Sequence, residues 1–281
     1  MDRFKYRINK VKFLISLYLQ IFLVKVFYKK NPNSKLEEII AKNRIFLDSI
    51  DTFLAEDVYV LNDYGIQMRI YKQLDNEISN LPTYSDFIIF LINNVFNKSI
   101  NYLEIGVSVL KNYLQINNGI QNSNLIAYDI NKINPKFKDL ESFAVNKNKL
   151  SYFQGSVLNN KDAEKFKNKF PDKFDFIFSD ALHTPDAIRS EYELIIKNSI
   201  AANFIIYYDD LDFVGLENEF LKIKSDISKS FNQQIYFYTF LIYGWIGQYE
   251  KLHKNGIITN INIEKIMKNE KLKIYQFKKL Y

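Results

Sequence analysis

The sequence predicts an α/β domain in which a mostly parallel sheet carries helices on both faces. From residue 101 onward, short apolar runs alternate with stretches of helical length, which is typical of βαβ units. Several of these runs end in an acidic or small residue, at the sheet edge where open α/β folds bind their ligands. The hydrophobic fraction of 47% is ordinary for a globular chain and argues against wholesale disorder.

Five strands with intervening helices are predicted in this part of the chain. The strands lie near 101–106, 124–129, 150–154, 174–180 and 203–208, and the helices at about 108–117, 160–169, 184–198 and 214–229. Two further aromatic runs, at 234–243 and about 245–250, are separated by Gly244 and predict an antiparallel edge hairpin. The complete sheet is therefore expected to have seven strands.

An N-terminal helical extension precedes the sheet. Ser34-Lys35-Leu36-Glu37 has the pattern of a capping box and predicts a helix over about 35–55. Pro82-Thr83-Tyr84-Ser85 begins another helix, while residues 56–80 show no clear pattern. We therefore expect a helical extension or cap at 1–98, a ligand-binding domain at 99–250 and a C-terminal tail at 251–281.

Composition limits the chemistry and the partners of the chain. It contains no cysteine and two histidines, so disulfides and sites with several histidines or cysteines are excluded. A metal would need carboxylate and carbonyl ligands, which favour Mg²⁺ or Ca²⁺. The net charge of +6 comes from residues 1–30, which hold eight Lys/Arg and one acid. The nearly neutral remainder argues against nucleic acid as a partner, and the absence of cysteine suits a cytoplasmic protein.

Residues 8–28 predict an apolar helix with basic flanks. The stretch from Phe13 to Tyr28 is largely apolar but is interrupted by Ser16, Gln20 and Lys25. Its uninterrupted part is shorter than the roughly 20 residues that span a bilayer. Three interpretations stay open: the helix packs against the body of the protein or a homodimer partner, it lies on the inner face of the membrane, or it is a true membrane anchor. In the second, basic residues within 1–30 would contact anionic headgroups.

The ends of the five predicted strands form an ordered set of candidate ligand-binding positions. They carry Glu104 and Gly106, then Asp129, Gly155-Ser156, Asp180 and Asp209-Asp210. The interval of 23 residues from Gly106 to Asp129 is close to the ~20 of a dinucleotide-type unit. Gly106 would let the backbone approach a ligand, and Asp129 would accept hydrogen bonds from ribose hydroxyls. The sequence thus predicts a nucleotide-type cofactor site.

Residues 101–210 resemble a class I S-adenosylmethionine (SAM)-dependent methyltransferase. The stretch Leu103-Glu104-Ile105-Gly106-Val107-Ser108 resembles the motif that receives the methionine part of the cofactor, and Asp129 matches the acid that binds the ribose. Gly155-Ser156-Val157 matches the segment beside the adenine. The stretch Phe176 to His183, with Asp180 and Ala181, matches the fourth motif, and Ile206 to Asp210 matches the fifth strand. The resemblance implies a Rossmann-like fold and SAM as cofactor.

The first motif departs from the family at two positions. Ser108 stands where the family usually has a second glycine, and Leu110 stands near the position of a third. Serine is small and can donate a hydrogen bond, whereas Leu110 is expected to narrow the pocket.

Three acids resemble the metal-binding cluster of metal-dependent O-methyltransferases. The resemblance implies that Asp180, Asp209 and Asp210 hold Mg²⁺, although Asp209 or Asp210 could instead cap the following helix. His183 follows Asp180 by three residues and is a candidate general base; the alternative is that it hydrogen-bonds a neighbouring loop or the cofactor. His253, beside Asn255-Gly256, is interpreted as a surface residue in a turn.

The expected function is SAM-dependent methyl transfer to a small-molecule or glycan acceptor. The acceptor atom would be a hydroxyl oxygen, with Asp180 and His183 as catalytic residues and Mg²⁺ assisting. One alternative is a catalytically silent Rossmann-like scaffold or a membrane-docked interaction module. A nucleotide-sugar or NAD-dependent enzyme is disfavoured, because the three-glycine fingerprint and a Tyr-x-x-x-Lys pair near the fifth strand are missing.

Overall fold

The computed structural model describes residues 34–55, 81–244, 252–268, 270 and 275–280, and the separate positions 11, 15, 19 and 22. Its eight strands are β1 Asn101–Ile105, β2 Asn124–Asp129, β3 Lys149–Gln154, β4 Phe174–Ser179, β5 Ile200–Tyr208, β6 Tyr236–Tyr243, β7 Leu252–Thr259 and β8 Tyr275–Leu280. The main helices are α1 Lys35–Ala55, α2 Tyr84–Val95, α3 Lys111–Gly119, α4 Asn160–Lys169, α5 Pro185–Glu191, α6 Leu216–Ser230 and α7 Glu264–Met267.

The strands form one sheet in the order β3-β2-β1-β4-β5-β7-β6-β8. β1 to β5 are parallel, while β7 runs antiparallel to both β5 and β6. The chain leaves β1 towards β3 and then crosses back to β4, so the order reverses between β1 and β4. The predicted Rossmann-like class is confirmed, and β8 adds an eighth strand beside β6.

Two apolar layers cover the two faces of the sheet. One contains side chains from α1, α2 and α3 with Tyr102, Phe178 and Tyr207 of the strands. The other contains side chains from α4, α5 and α6 with Leu103, Ile177 and Ile206. Neighbouring strand residues thus contribute to opposite layers, as the two-residue period of a strand requires. All of these strand side chains are 0% exposed, so the sheet is buried on both faces.

The helical extension shares this core. Thr83 accepts a hydrogen bond from the Asp86 amide, and the Asp86 carboxylate accepts one from the Thr83 amide, which forms a capping box at the start of α2. Asn43 of α1 donates to Asp86 at 2.8 Å and to Gln115 of α3 at 2.8 Å. The described parts of residues 1–98 are therefore attached to the sheet domain by apolar packing and by a buried polar network.

The C-terminal boundary predicted at residue 250 is wrong. β7 lies between β5 and β6, and β8 pairs with β6, so residues beyond 250 belong to the sheet. The predicted hairpin partner at 245–250 lies outside the described residues, and the next described strand along the chain, Leu252–Thr259, pairs antiparallel with β6. The boundary was misplaced because the last 30 residues are rich in Lys and Asn and weakly patterned, although Gly256 pairs with Tyr208 within the sheet.

The predicted N-terminal helix is described at four positions only, all helical: Val11, Ile15, Leu19 and Phe22. The other residues of the predicted segment 8–28, and all of 56–80, lie outside the described part. Among the described residues, no helix is both long and apolar enough to cross a membrane.

Candidate active site

A cavity of about 310 Å³ opens where the strand order reverses between β1 and β4. Ligands bind at such switch points in open α/β sheets. The cavity contains all ten residues predicted to bind the cofactor: Glu104, Gly106, Val107, Ser108, Asp129, Gly155, Ser156, Val157, Asp180 and Ala181. Its size lies in the lower part of the range of about 300–1,000 Å³ usual for small-molecule sites.

Gly106 permits a close approach between two segments of backbone. Its φ is +85°, and a Cβ atom added there would lie 2.3 Å from the carbonyl oxygen of Asp180 and 2.5 Å from the Cα of Ala181. The prediction assigned Gly106 to close contact with a ligand. In the structure, the missing side chain lets the loop after β1 pack against the end of β4, which shapes the cavity between them.

Asp129 fixes the loop that follows β1. Its Oδ2 accepts hydrogen bonds from the amides of Val107 at 2.9 Å and Ser108 at 3.0 Å, and its Oδ1 accepts one from the amide of Asn131 at 2.9 Å. An ionised carboxylate has about four acceptor positions, so room remains for a hydroxyl group. Asp129 therefore fixes the loop that forms part of the cavity wall, and its carboxylate also lines the cavity.

Glu104 places a buried carboxyl group in the cavity wall. Its Oε2 accepts hydrogen bonds from the Tyr102 hydroxyl at 2.7 Å and the Asn112 amide at 2.8 Å. Burial raises the pKa of Glu104 to about 8, although these two hydrogen bonds oppose the shift. A cation entering the cavity would favour the ionised form of this carboxyl.

The two departures from the glycine pattern have different consequences. Ser108 and Leu110 both have positive φ, at 45° and 66°, a region in which glycine is not strained. Ser108 lines the cavity. Leu110 is absent from the lining and is buried in the core layer of α1, α2 and α3. The expectation that Leu110 narrows the pocket is therefore wrong, because its side chain points into the protein core.

His183 connects the ends of β4 and β5. Its Nε2 lies 3.2 Å from Oδ1 of Asp180, and its Nδ1 lies 3.0 Å from Oδ2 of Asp210. Burial lowers the pKa of His183, but the hydrogen bonds and charges of the two carboxylates outweigh it and raise the pKa to about 11. Both ring nitrogens therefore carry protons in this arrangement. A general-base role would require His183 to lose one of the two contacts.

His253 of β7 belongs to the same cluster. Its Nδ1 contacts Oδ1 of Asp210 and lies 3.9 Å from Oδ2 of Asp209. The prediction that His253 is a surface residue in a turn is wrong, since its side chain is 19% exposed and faces two acids. Asn255, also on β7, donates to Asp209 and accepts a hydrogen bond from the Tyr207 hydroxyl at 2.5 Å.

The acids at this end of the sheet have divergent pKa values. Burial raises the pKa of Asp209 well above its ordinary value, and the charges of Asp210 and Asp180 raise it further. Burial also raises the pKa of Asp180, against the hydrogen bond with His183. For Asp210, burial is outweighed by hydrogen bonds from His183 and His253, which lower the pKa below its usual range. Asp210 is thus the anion between two imidazoles.

One group of described residues has ligand atoms close enough together to hold a metal: Asp209, Asp210 and His253, within 4.8 Å of one another. The predicted set was Asp180, Asp209 and Asp210; Asp180 is not in the group, and His253 is. Two carboxylates suit Mg²⁺ or Mn²⁺, whereas an imidazole ligand favours a transition metal such as Zn²⁺. The three residues fit a divalent metal ion. Because one ligand atom is an imidazole nitrogen, this set is softer than the three carboxylates that were predicted.

Several cavity residues were not predicted. Tyr84, at the start of α2, lines the cavity, and its hydroxyl lies 3.3 Å from Oδ2 of Asp180. Asn112 was also missed; it stands four residues after Ser108, the last residue of the first motif. The capping box locates the start of α2 in the sequence, but only the packing of α2 on the sheet brings Tyr84 to β4. Further lining residues are Ile105, Val109, Lys111, Tyr128, Ile130, Asn131, Leu158 and Leu182.

No protein-family model and no curated protein matches the chain. Solved structures with a similar fold include the O-methyltransferase TomG from Streptomyces achromogenes, in complex with SAM, at 11% identity and a TM-score of 0.47 over 76% of this chain and 96% of that one. The plantazolicin methyltransferase BamL is similar at 13% identity and a TM-score of 0.42 over 80% and 97%. Spermidine synthase from Thermotoga maritima is similar at 16% and 0.40 over 64% and 59%. At this level the likeness carries no argument about function, and the fold class rests on the strand order.

Proposed function

We propose that the chain is a SAM-dependent methyltransferase that acts on a hydroxyl group of a small-molecule or glycan acceptor. One observation carries the proposal: all ten residues expected at a SAM site, scattered over four strand ends, line a single cavity at the switch point of the sheet. The strand order is that of a Rossmann-like sheet with an antiparallel strand beside β5, which agrees with the resemblance of residues 101–210.

Each wall of the cavity suits a different part of the cofactor. The carboxyl of Glu104 would pair with the positive methionine end, and Asp129 would accept a hydrogen bond from a ribose hydroxyl. The loop of Gly155, Ser156 and Val157 would flank the adenine. When bound, SAM supplies an electrophilic methyl group, so the protein's task is to hold an acceptor oxygen in line with it.

Asp180 and His183 are placed to handle the proton of the acceptor. Asp180 lines the cavity and contacts His183, which stands outside the lining. We propose that the Asp180 carboxylate binds the acceptor hydroxyl and takes up its proton as the methyl group is transferred, while His183 holds that carboxylate in place. A raised pKa makes the Asp180 carboxylate a better base than an ordinary aspartate, and Tyr84 holds its other oxygen.

We further propose that a divalent cation assists and that Asp209, Asp210 and His253 hold it. Such an ion would polarise the acceptor oxygen and lower the pKa of its hydroxyl. The three proposed metal ligands lie close to the cavity. Asp210, one of these ligands, contacts one nitrogen of the His183 imidazole, and Asp180 of the cavity wall contacts the other. Asn255 would keep Asp209 oriented towards the ion, a role often filled by groups behind the ligands.

Calorimetric titration with S-adenosylhomocysteine (SAH) tests the cofactor site. We expect binding by the wild-type protein and its loss in Asp129→Asn. A matched control is Asp175→Asn: Asp175 also accepts a backbone hydrogen bond, from Asn101 at 3.0 Å, but lies at the start of β4, away from the cavity. If the wild-type protein is folded and does not bind SAH, the proposed cofactor site is refuted, and the alternative of a non-catalytic module is favoured.

The acceptor is identified by the transfer of labelled methyl groups. Wild-type protein and radiolabelled SAM would be incubated with pools of hydroxylated small molecules and glycans, with EDTA, Mg²⁺ or Mn²⁺. We expect labelling that Asp180→Asn abolishes while SAH binding remains. If Asp180→Asn still labels the acceptor, the role assigned to Asp180 and His183 is refuted. If EDTA leaves the labelling unchanged, the proposed assistance by a metal ion is refuted.

A further inference from the structure

An apolar stripe on the N-terminal helix faces solvent. Val11, Ile15, Leu19 and Phe22 are helical and are 54%, 63%, 58% and 60% exposed. Their spacings of four, four and three residues place them on one face of the helix. Isolated exposed apolar side chains are normal, but a contiguous row of four large ones marks an interaction surface.

The sequence around the stripe is strongly basic. Residues 1–30 contain eight Lys/Arg and one acid, a net charge of +7, while the rest of the chain sums to −1. Basic residues stand on both sides of the stripe, five of them at positions 3 to 12 and three at positions 25 to 30. An exposed apolar face with basic flanks matches the combination by which helices bind anionic lipid surfaces.

We propose that this stripe docks the protein on an anionic membrane surface. The four apolar side chains would enter the boundary between headgroups and acyl chains, and the basic residues would lie among the phosphates. A second copy of this chain is a poorer partner, because its remaining residues sum to −1 and give no charge to match +7. The proposal uses none of the cavity residues and is independent of the proposed function.

Vesicle flotation with the full chain tests the proposal. We expect co-flotation with phosphatidylcholine vesicles that contain phosphatidylglycerol, little with phosphatidylcholine alone, and weakening as salt is added. The double variant Ile15→Glu/Leu19→Glu should lower recovery at least about tenfold. Ile45→Glu is the matched control, since Ile45 is an exposed isoleucine on α1, outside the stripe, and it should float like the wild type.

Other results would overturn the proposal. The wild-type protein could be absent from the floated anionic vesicles, or it could be recovered equally with anionic and neutral vesicles. The double variant could also be recovered with anionic vesicles as fully as the wild-type protein. Sedimentation would identify a second copy as the occupant if the wild-type protein is a dimer that the double variant splits. Retained SAH binding by the double variant would show that the fold is intact, so failure of docking is distinguishable from failure of the cofactor site.

Discussion

Replacing Glu104 with glutamine should stabilise the ligand-free protein at alkaline pH. Glu104 is 1% exposed, and burial raises its pKa from 4.5 to about 8. Between these values the folded protein holds a proton that the unfolded chain has released, so stability falls as pH rises through the window and levels off above about 8. The full difference corresponds to about 5 kcal/mol. Glutamine removes the charge and keeps an oxygen that can accept from Tyr102 and Asn112.

The assay is urea unfolding of both proteins at about pH 6 and about pH 9, two values that span the upper part of the window. Between them the wild-type protein should lose about 2–3 kcal/mol of unfolding free energy more than Glu104→Gln, as a pKa of about 8 requires. Other titrating groups contribute to both proteins, so the difference isolates Glu104. Equal losses in the two proteins would refute the reasoning.

Glu191→Gln is the matched control. Glu191 is 0% exposed, and burial raises its pKa to about 8, against a hydrogen bond from Ser179. It does not line the cavity. Its replacement should change the pH dependence of stability in the same direction, but only Glu104→Gln should weaken SAH binding. Equal weakening by both substitutions would mean that Glu104 acts through the fold rather than through contact with the cofactor.

Three further predictions concern the cavity and the metal group. Gly106→Ala should lower the unfolding free energy by about 2–4 kcal/mol, because a Cβ would overlap the Asp180 backbone. A decrease of less than about 1 kcal/mol would contradict the close approach between Gly106 and the Asp180 backbone. Ser108→Gly should leave stability unchanged or raise it by up to about 1 kcal/mol in thermal unfolding, and a clear loss would show that Ser108 makes a contact worth more than its strain. His253→Gln should weaken Mn²⁺ binding about tenfold in calorimetry, whereas unchanged affinity would exclude His253 as a ligand.

The cavity wall was predictable because its geometry follows from topology. In a parallel sheet, the carboxyl end of every strand lies at the same edge, so an acid or glycine at each strand end can be placed without coordinates. Asp129 and Asp180 were located in this way, and both line the cavity. The amphipathic and turn signals that locate the strands are local, so this part of the site needs no long-range information.

The metal group and the role of Leu110 were not predictable in the same way. His253 reaches Asp210 because β7 inserts between β5 and β6, a pairing that depends on residues far apart in the chain. Asn255-Gly256 favours a turn by composition, yet the sheet overrides that preference. Leu110 occupies a position where glycine is common, but its burial depends on the packing of α1 and α2 against the sheet.

The position of β7 also sets the order in which the site can come into existence during synthesis. A nascent chain that has emerged only as far as β6 already has Asp180, Asp209 and Asp210, but its β5 lacks an antiparallel neighbour. The three acids then stand together without His253, and the edge of β5 is open. Only when β7 enters the sheet does the same strand close that edge and supply the imidazole beside Asp210. Assembly of the cluster and closure of the β5 edge therefore depend on the same strand.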